Sequence, residues 1–200
     1  MRPIAVVDAA RLPDHAFGHR SILWWGTLGF IATEGMAFAI AIAAYLYLRT
    51  RIPHWPPDAP PPDLTAGLIN LAILILSAVP NQLTKHAAEK KDLARVRIWI
   101  LVTLGFALAF AAVRWFEFAS LNVRWDLNAY GSIQWTLLAL HTTHLLTDVG
   151  DTAVLAVLMF TGPITGRRFV DVSENAFYWY FVIASWLPIY FLIYWGPRLL

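Results

Sequence analysis

The stretch His141-Thr142-Thr143-His144-Leu145-Leu146-Thr147-Asp148-Val149-Gly150-Asp151 places four titratable side chains inside a long apolar run. Such groups are costly there unless they face one another. At 100° per residue, His141, His144, Asp148 and Asp151 fall in one sector of a helix. Leu145, Leu146 and Val154 are expected on the other faces. A polar stripe on an otherwise apolar helix is the inner face of a helix in a membrane bundle, so the chain must supply partners for it.

Composition agrees. Hydrophobic residues make up 58% of the 200 residues and charged ones 14%, and the mean hydropathy is +0.56. Soluble domains have about 45–50% apolar and 25% charged residues. The pI of 9.0 accompanies a net charge of only +2, which gives no case for nucleic-acid binding. Without cysteine there is no disulfide, thiolate metal site or thiol nucleophile. The ten tryptophans suit anchoring at membrane interfaces.

Five apolar segments, about 21–49, 64–84, 93–119, 130–160 and 174–196, are each long enough to cross a bilayer core. The expected fold is all-α, a polytopic five-helix transmembrane bundle preceded by a polar segment, 1–20. That segment lacks the apolar core and cleavage site of a secretory signal. Gly35, Ala39 and Ala43 form a small-residue seam that admits close helix approach. The Pro-rich loop 50–62 is too rich in proline for helix or ladder. No repeat, low-complexity tail or water-soluble domain is evident.

Of the fifteen lysines and arginines, five crossings put Arg2, Arg11, Arg20, Lys85, Lys90, Lys91, Arg95, Arg97, Arg167 and Arg168 on one side. Arg49, Arg51, Arg114, Arg124 and Arg198 fall on the other. The positive-inside bias therefore places the N-terminus in the cytoplasm.

Glu34 lies mid-span, as does His144, so the two can share a depth. A carboxyl there is a structural interhelical hydrogen bond, a proton-relaying group or a subunit contact. Asn70 and Ser77 are the buried polar groups of the second span. His141, His144 and Asp148 with Glu34 also make a candidate metal set, although the paired Glu and Glu-x-x-His sets of di-iron bundles are absent. The other four histidines, His15, His19, His54 and His86, sit at or beyond span ends, so no pair of axial haem ligands emerges. On the residues alone, a metal-dependent membrane enzyme and a small proton-coupled transporter stay open. The lack of inverted repeats disfavours the transporter.

Several motifs taken in order carry a resemblance. Residues 24–38, from Trp24-Trp25-Gly26 through Thr33-Glu34-Gly35, followed by Ala44-Tyr45-Leu46-Tyr47-Leu48-Arg49, resemble the first helix shared across the cytochrome c oxidase subunit III family. Trp55-Pro56-Pro57, Asn70 and Ser77 are similar to its outer loop and next helix. Arg114-Trp115-Phe116-Glu117-Phe118 resembles the exit from the following helix. Leu140-His141-Thr142-Thr143-His144-Leu145 is similar to its paired-histidine helix. Tyr178-Trp179-Tyr180-Phe181-Val182 with Trp186-Leu187 and Tyr194-Trp195 is similar to its last helix. Tyr180 and Ile183 stand where the family has His and an acid, Leu158 where it has Arg, and two threonines part the histidines. Asp148 and Asp151 are extra to the pattern, and five spans replace the seven of the mitochondrial type.

The resemblance implies a divergent bacterial member in the inner membrane. It would be a non-catalytic subunit of a respiratory haem–copper terminal oxidase, packed beside subunit I with subunit II in the same complex. Haem and copper would reside in those partners and none in this chain. Phospholipid would be held, and proton uptake and O2 reduction supported. Trp24, Trp25, Arg49, Trp55, Arg114, Glu117, Tyr178, Trp179 and Trp186 are then expected at lipid or subunit interfaces. Glu34, His141, His144, Asp148, Asp151 and Asn70 are the intramembrane polar, proton-related set. Quinol oxidases and nitric oxide reductase clusters also carry five-helix relatives, so donor and acceptor stay open.

Overall fold

A computed structural model describes residues 16–57 and 59–199. The expected segment 1–20 therefore lies mostly outside the described residues. Among those described, the chain is helical and without strands. The helices are α1 (Ile22–Arg51), α2 (Leu64–Glu89), α3 (Leu93–Ala119), α4 (Ala129–Thr161) and α5 (Gly166–Tyr190). Helix α5 continues through a π-helical turn, Phe191–Trp195, into Gly196–Leu199. All five are long and apolar enough to cross a membrane.

Four of the five starts are set by local chemistry. Ser21, Asp63, Asp92 and Asn128 each accept a hydrogen bond from a backbone N–H in the first turn that follows, which satisfies a donor the helix cannot. Helix α5 starts at Gly166, eight residues before the apolar segment. Its first turns carry Arg167, Arg168 and Asp171 and extend the rod beyond its apolar part. For the same reason α2 runs on through Lys85 and His86 to Glu89.

Helix α5 packs on α2, α4 and α1, and α3 packs on α2 and α4. Helix α1 lies on the flank, against α4 and α5, and buries only Phe38, Ala41 and Tyr45. In the small-residue seam, Gly35 meets Phe181, while Ala39 and Ala43 are exposed. Because α1 packs away from α2, the Pro-rich loop must carry the chain across one end of the bundle. It is held there by bonds from Asn122 to the Pro61 carbonyl (3.1 Å) and from Arg198 to the Pro62 carbonyl (2.7 Å). Trp55 of this loop stands edge-on to Tyr45 and Tyr130 and donates its Nε1–H to the Tyr45 hydroxyl (3.0 Å).

At this same end, the loop between α3 and α4 carries an exposed ion pair. Hydrogen bonds from the Arg124 guanidinium, at 3.0 and 2.7 Å, hold the Asp126 carboxyl below its ordinary range and raise Arg124. Both groups are in solvent, where such pairs contribute little.

Candidate functional site

The stripe on α4 divides between two sites. Leu145 is fully buried, whereas Leu146 and Val154 are exposed. Leu145 lies only about 40° around the helix from His141, so it shares the inner face rather than turning away from it. Asp151 is exposed at the edge of the stripe.

His141 belongs to the interior. Its Nδ1 lies 3.2 Å from Arg114 Nη2 and its Nε2 lies 3.0 Å from the Val182 carbonyl. Arg114 can only donate, so Nδ1 accepts and Nε2–H donates to the carbonyl. The imidazole is thus a neutral connector between α3 and α5.

Arg114 and Glu117 of α3 are 1% and 0% exposed, with Nη1 of Arg114 2.9 Å from Oε2 of Glu117. Asn70 on α2 and the Tyr194 hydroxyl on the π-helical turn also donate to Glu117. The guanidinium lies over the rings of Phe110 (4.7 Å) and Trp186 (4.0 Å), which compensate its lost hydration. Five groups from four helices therefore close around one buried ion pair.

This corrects the sequence expectation for Arg114, Glu117, Trp179 and Trp186, which are interior rather than lipid-facing. Spacing explains it. Arg114 and Glu117 are one turn apart, so both face inward and are desolvated together as a pair. Trp179 donates to the Ser77 hydroxyl (2.9 Å). Trp25 is half exposed and donates to the His19 carbonyl (3.0 Å), while Trp24 stacks on Phe177. Arg49 is partly buried near the loop end of α1.

His144 belongs to the second site. Its Nδ1 is 2.7 Å from the Leu140 carbonyl, so it donates there. Its Nε2 then faces Glu34 Oε1 at 3.3 Å. A bare Nε2 against a bare carboxylate would repel, so this contact is a hydrogen bond only with one proton between the two. Either a glutamic acid donates to a neutral imidazole, or an imidazolium donates to a carboxylate. Tyr178 completes the site by donating to Glu34 Oε2 (2.5 Å). The Phe38 ring covers the imidazole at 4.7 Å. The Glu34 side chain keeps 18% exposure, on the flank of the bundle where α1 meets α4 and α5.

Tyr178→Phe removes one donor from this carboxyl. A hydrogen bond to a charged or strongly polar partner contributes about 1.5–3 kcal/mol, so a loss in that range is expected in mixed-micelle unfolding. A loss below about 0.5 kcal/mol would show the bond to be unimportant.

Asp148, one turn beyond His144, accepts from Asn175 Nδ2 (3.1 Å), and Asn175 Oδ1 accepts from Thr152 (3.0 Å). Asn175 was not singled out from sequence, and Tyr194 entered only as part of the last-helix motif, without a role. A polar Asn beside Glu174 in the polar start of α5 was the available signal for the first. For Tyr194 the motif gave no direction, because a π turn sets it. The candidate metal set is split, since His141 turns to Arg114 and His144 to Glu34. Among the described residues no three His, Cys, Asp or Glu side chains are grouped to hold a metal ion.

Comparison with known proteins matches the sequence to a family. The model of the family "Cytochrome c oxidase subunit III" matches residues 4–197. Cytochrome c oxidase subunit 3 of Thermostichus vulcanus is 27% identical over 184 residues, covering 90% of each chain. The probable cytochrome c oxidase subunit 3 of Nocardia farcinica is 25% identical, over 90% of this chain and 91% of the relative. A heme-copper oxidase subunit I+III of Aeropyrum pernix is 27% identical over 187 residues, which are 87% of this chain and 22% of that longer protein. With a family match spanning nearly the whole sequence and five membrane-length helices in one bundle, this multi-pass membrane protein belongs to the cytochrome c oxidase subunit III family.

Proposed function

We propose that the chain is the non-catalytic, subunit III-like component of a respiratory haem–copper terminal oxidase in a bacterial inner membrane. It packs against subunit I, with subunit II in the same complex, and supports proton uptake and O2 reduction there. Haem and copper belong to those partners. The N-terminus lies on the cytoplasmic side, where ten of the fifteen cationic side chains gather.

One observation carries this reading beyond the family. The Glu34–His144–Tyr178 site sits on the flank of the bundle rather than at its centre. Helix α1, which bears Glu34, leaves Ile22, Phe30, Met36, Ile40 and Tyr47 exposed. A titratable group on an exposed apolar helix suits a subunit that influences a neighbour's chemistry and does none of its own. The relative that carries subunits I and III in one chain supports subunit I as that neighbour. Phospholipid is expected in the groove of about 910 Å³ between α3 and α4, whose walls include Trp115, Phe118, Trp135 and Leu146.

Accessory roles in a quinol oxidase or a nitric oxide reductase use the same surface and differ in the partner. A stand-alone metal enzyme is disfavoured because the ligands it needs point to different partners.

The deciding experiment is purification through a tag on this chain from its native membrane in mild detergent. Haem bands in the reduced-minus-oxidised spectrum and co-purifying subunits I and II are expected. A colourless, solitary protein would overturn the proposal. In the isolated complex, Glu34→Gln is expected to preserve assembly and change turnover or the rate of inactivation modestly. Complete loss of activity in an intact complex would contradict a supporting role.

A further inference from the structure

The groove of about 910 Å³ between α3 and α4 has a smaller neighbour, of about 270 Å³, along α4 at Ser132, Thr136 and Ala139. Trp135 lines both and so forms the ridge between them. That ridge is fixed. Its Nε1–H donates to the Val123 carbonyl (2.8 Å), and its ring packs on Phe118 with centroids 5.1 Å apart. Both grooves lead to one short loop, where Arg124 walls the larger and Trp125 the smaller. Ser132 ties this loop to α4 by donating to the Trp125 carbonyl (2.7 Å). At 100° per residue, Trp135, Thr142 and Leu146 lie on the opposite side of α4 from Asp148, Asp151 and Leu155. The grooves are therefore separate from the Glu34 flank.

Shape and polarity point to one class of occupant. From Ala129 to Leu146 is about 25 Å of helix, near the depth of about 20 Å that one leaflet has with its headgroups. A partner helix would need a groove that continues across the other leaflet. The walls are mostly aromatic and aliphatic, and polar at the loop end. Among the described residues lining the larger groove, Arg124 is the only charged one. Its Nε and Nη2 are already on the Asp126 carboxyl, at 3.0 and 2.7 Å. The two side chains are 79% and 38% exposed, so the pair adds little to the stability of the fold. It presents one positive and one negative group, side by side, at the head of both grooves.

We infer that the two grooves seat the two acyl chains of one phospholipid astride Trp135, and that the Arg124–Asp126 pair selects a zwitterionic headgroup carrying an ammonium. The phosphate takes the remaining N–H groups of Arg124, and the ammonium donates to Asp126, so each charge meets its opposite. An anionic headgroup without the ammonium meets an arginine whose charge Asp126 already offsets. The inference rests on phospholipid being held in this groove, and adds which headgroup is chosen and by which residues.

The test uses the native complex in mild detergent, equilibrated with phosphatidylethanolamine or phosphatidylglycerol that carries a photoactivatable diazirine in one acyl chain. Cross-links are located by mass spectrometry of peptides from this chain. Attachment around Trp135, Ala139 and Thr142 is expected. Phosphatidylethanolamine should be favoured by about tenfold, the effect of one charge-assisted hydrogen bond. Asp126→Asn leaves the guanidinium unopposed and is expected to reverse the order in favour of phosphatidylglycerol. Arg124→Gln should lower the yield with both lipids. Both residues are exposed, so neither change threatens the fold. Cross-links in the grooves that are equal for the two lipids, or an order unmoved by Asp126→Asn, would overturn the headgroup assignment and leave phospholipid in place. No cross-link here with either lipid would overturn phospholipid occupancy as well.

Discussion

Replacing Glu117 by leucine is expected to cost about 3–5 kcal/mol, the usual penalty for breaking a buried ion pair from one side. The leucine fills most of the space, so packing is not the main loss. Arg114, 1% exposed, would keep its charge without the 2.9 Å carboxylate partner. Asn70 and Tyr194 would each lose an acceptor. His141 accepts from the same guanidinium, so a shift of Arg114 would reach α4 as well. The measurement is unfolding of the detergent-solubilised chain, with retention of the chain in its complex as a second readout. Arg114→Met/Glu117→Gln removes both charges while keeping an oxygen for Tyr194. It should therefore lose less than Glu117→Leu alone. If Glu117→Leu costs under 1 kcal/mol, the network is not what joins α2, α3, α4 and α5.

Gly67→Ala is the second large effect, expected at about 1–3 kcal/mol or somewhat more. A Cβ at Gly67 would collide with the Tyr194 ring. The ring cannot simply swing away. It is fully buried, rests against Tyr190 with centroids 5.1 Å apart, and holds its hydroxyl on Glu117. A single methyl on α2 thus strikes the same ion pair from another direction. The loss should shrink in Gly67→Ala/Tyr194→Leu, where the clash is gone although the hydrogen bond is lost too. Equal losses in the single and double variants would show that the close approach of α2 to this ring is not strained by a Cβ.

Much of the fold was legible in advance. Apolar runs of membrane length mark the five spans, and the structure adds Ser21, Asp63, Asp92 and Asn128 as the caps of four of them. Glu34 and His144 could be placed at a similar depth, which permits their contact without fixing it. The polar start of α5 was less legible, because hydropathy marks where a helix is apolar and not where it begins.

What only the tertiary structure decided is which polar group meets which. His141 and His144 are one turn apart on the same stripe, yet one completes a buried connector and the other meets Glu34. Periodicity gives a direction around one helix axis. It carries no information on the crossing of a second helix, and that crossing sets whether a side chain meets Arg114 or Glu34. Arg114 looked like a boundary residue because arginines usually end spans. Its burial follows from Glu117, Phe110, Trp186 and Tyr194, which come from α3 and α5 and meet only after packing. Sequence by itself determined five membrane-length helices and the polar groups they must enclose. Long-range packing alone divided those groups into an ion pair at the centre of the bundle and a carboxyl–imidazole pair beneath its α1 flank.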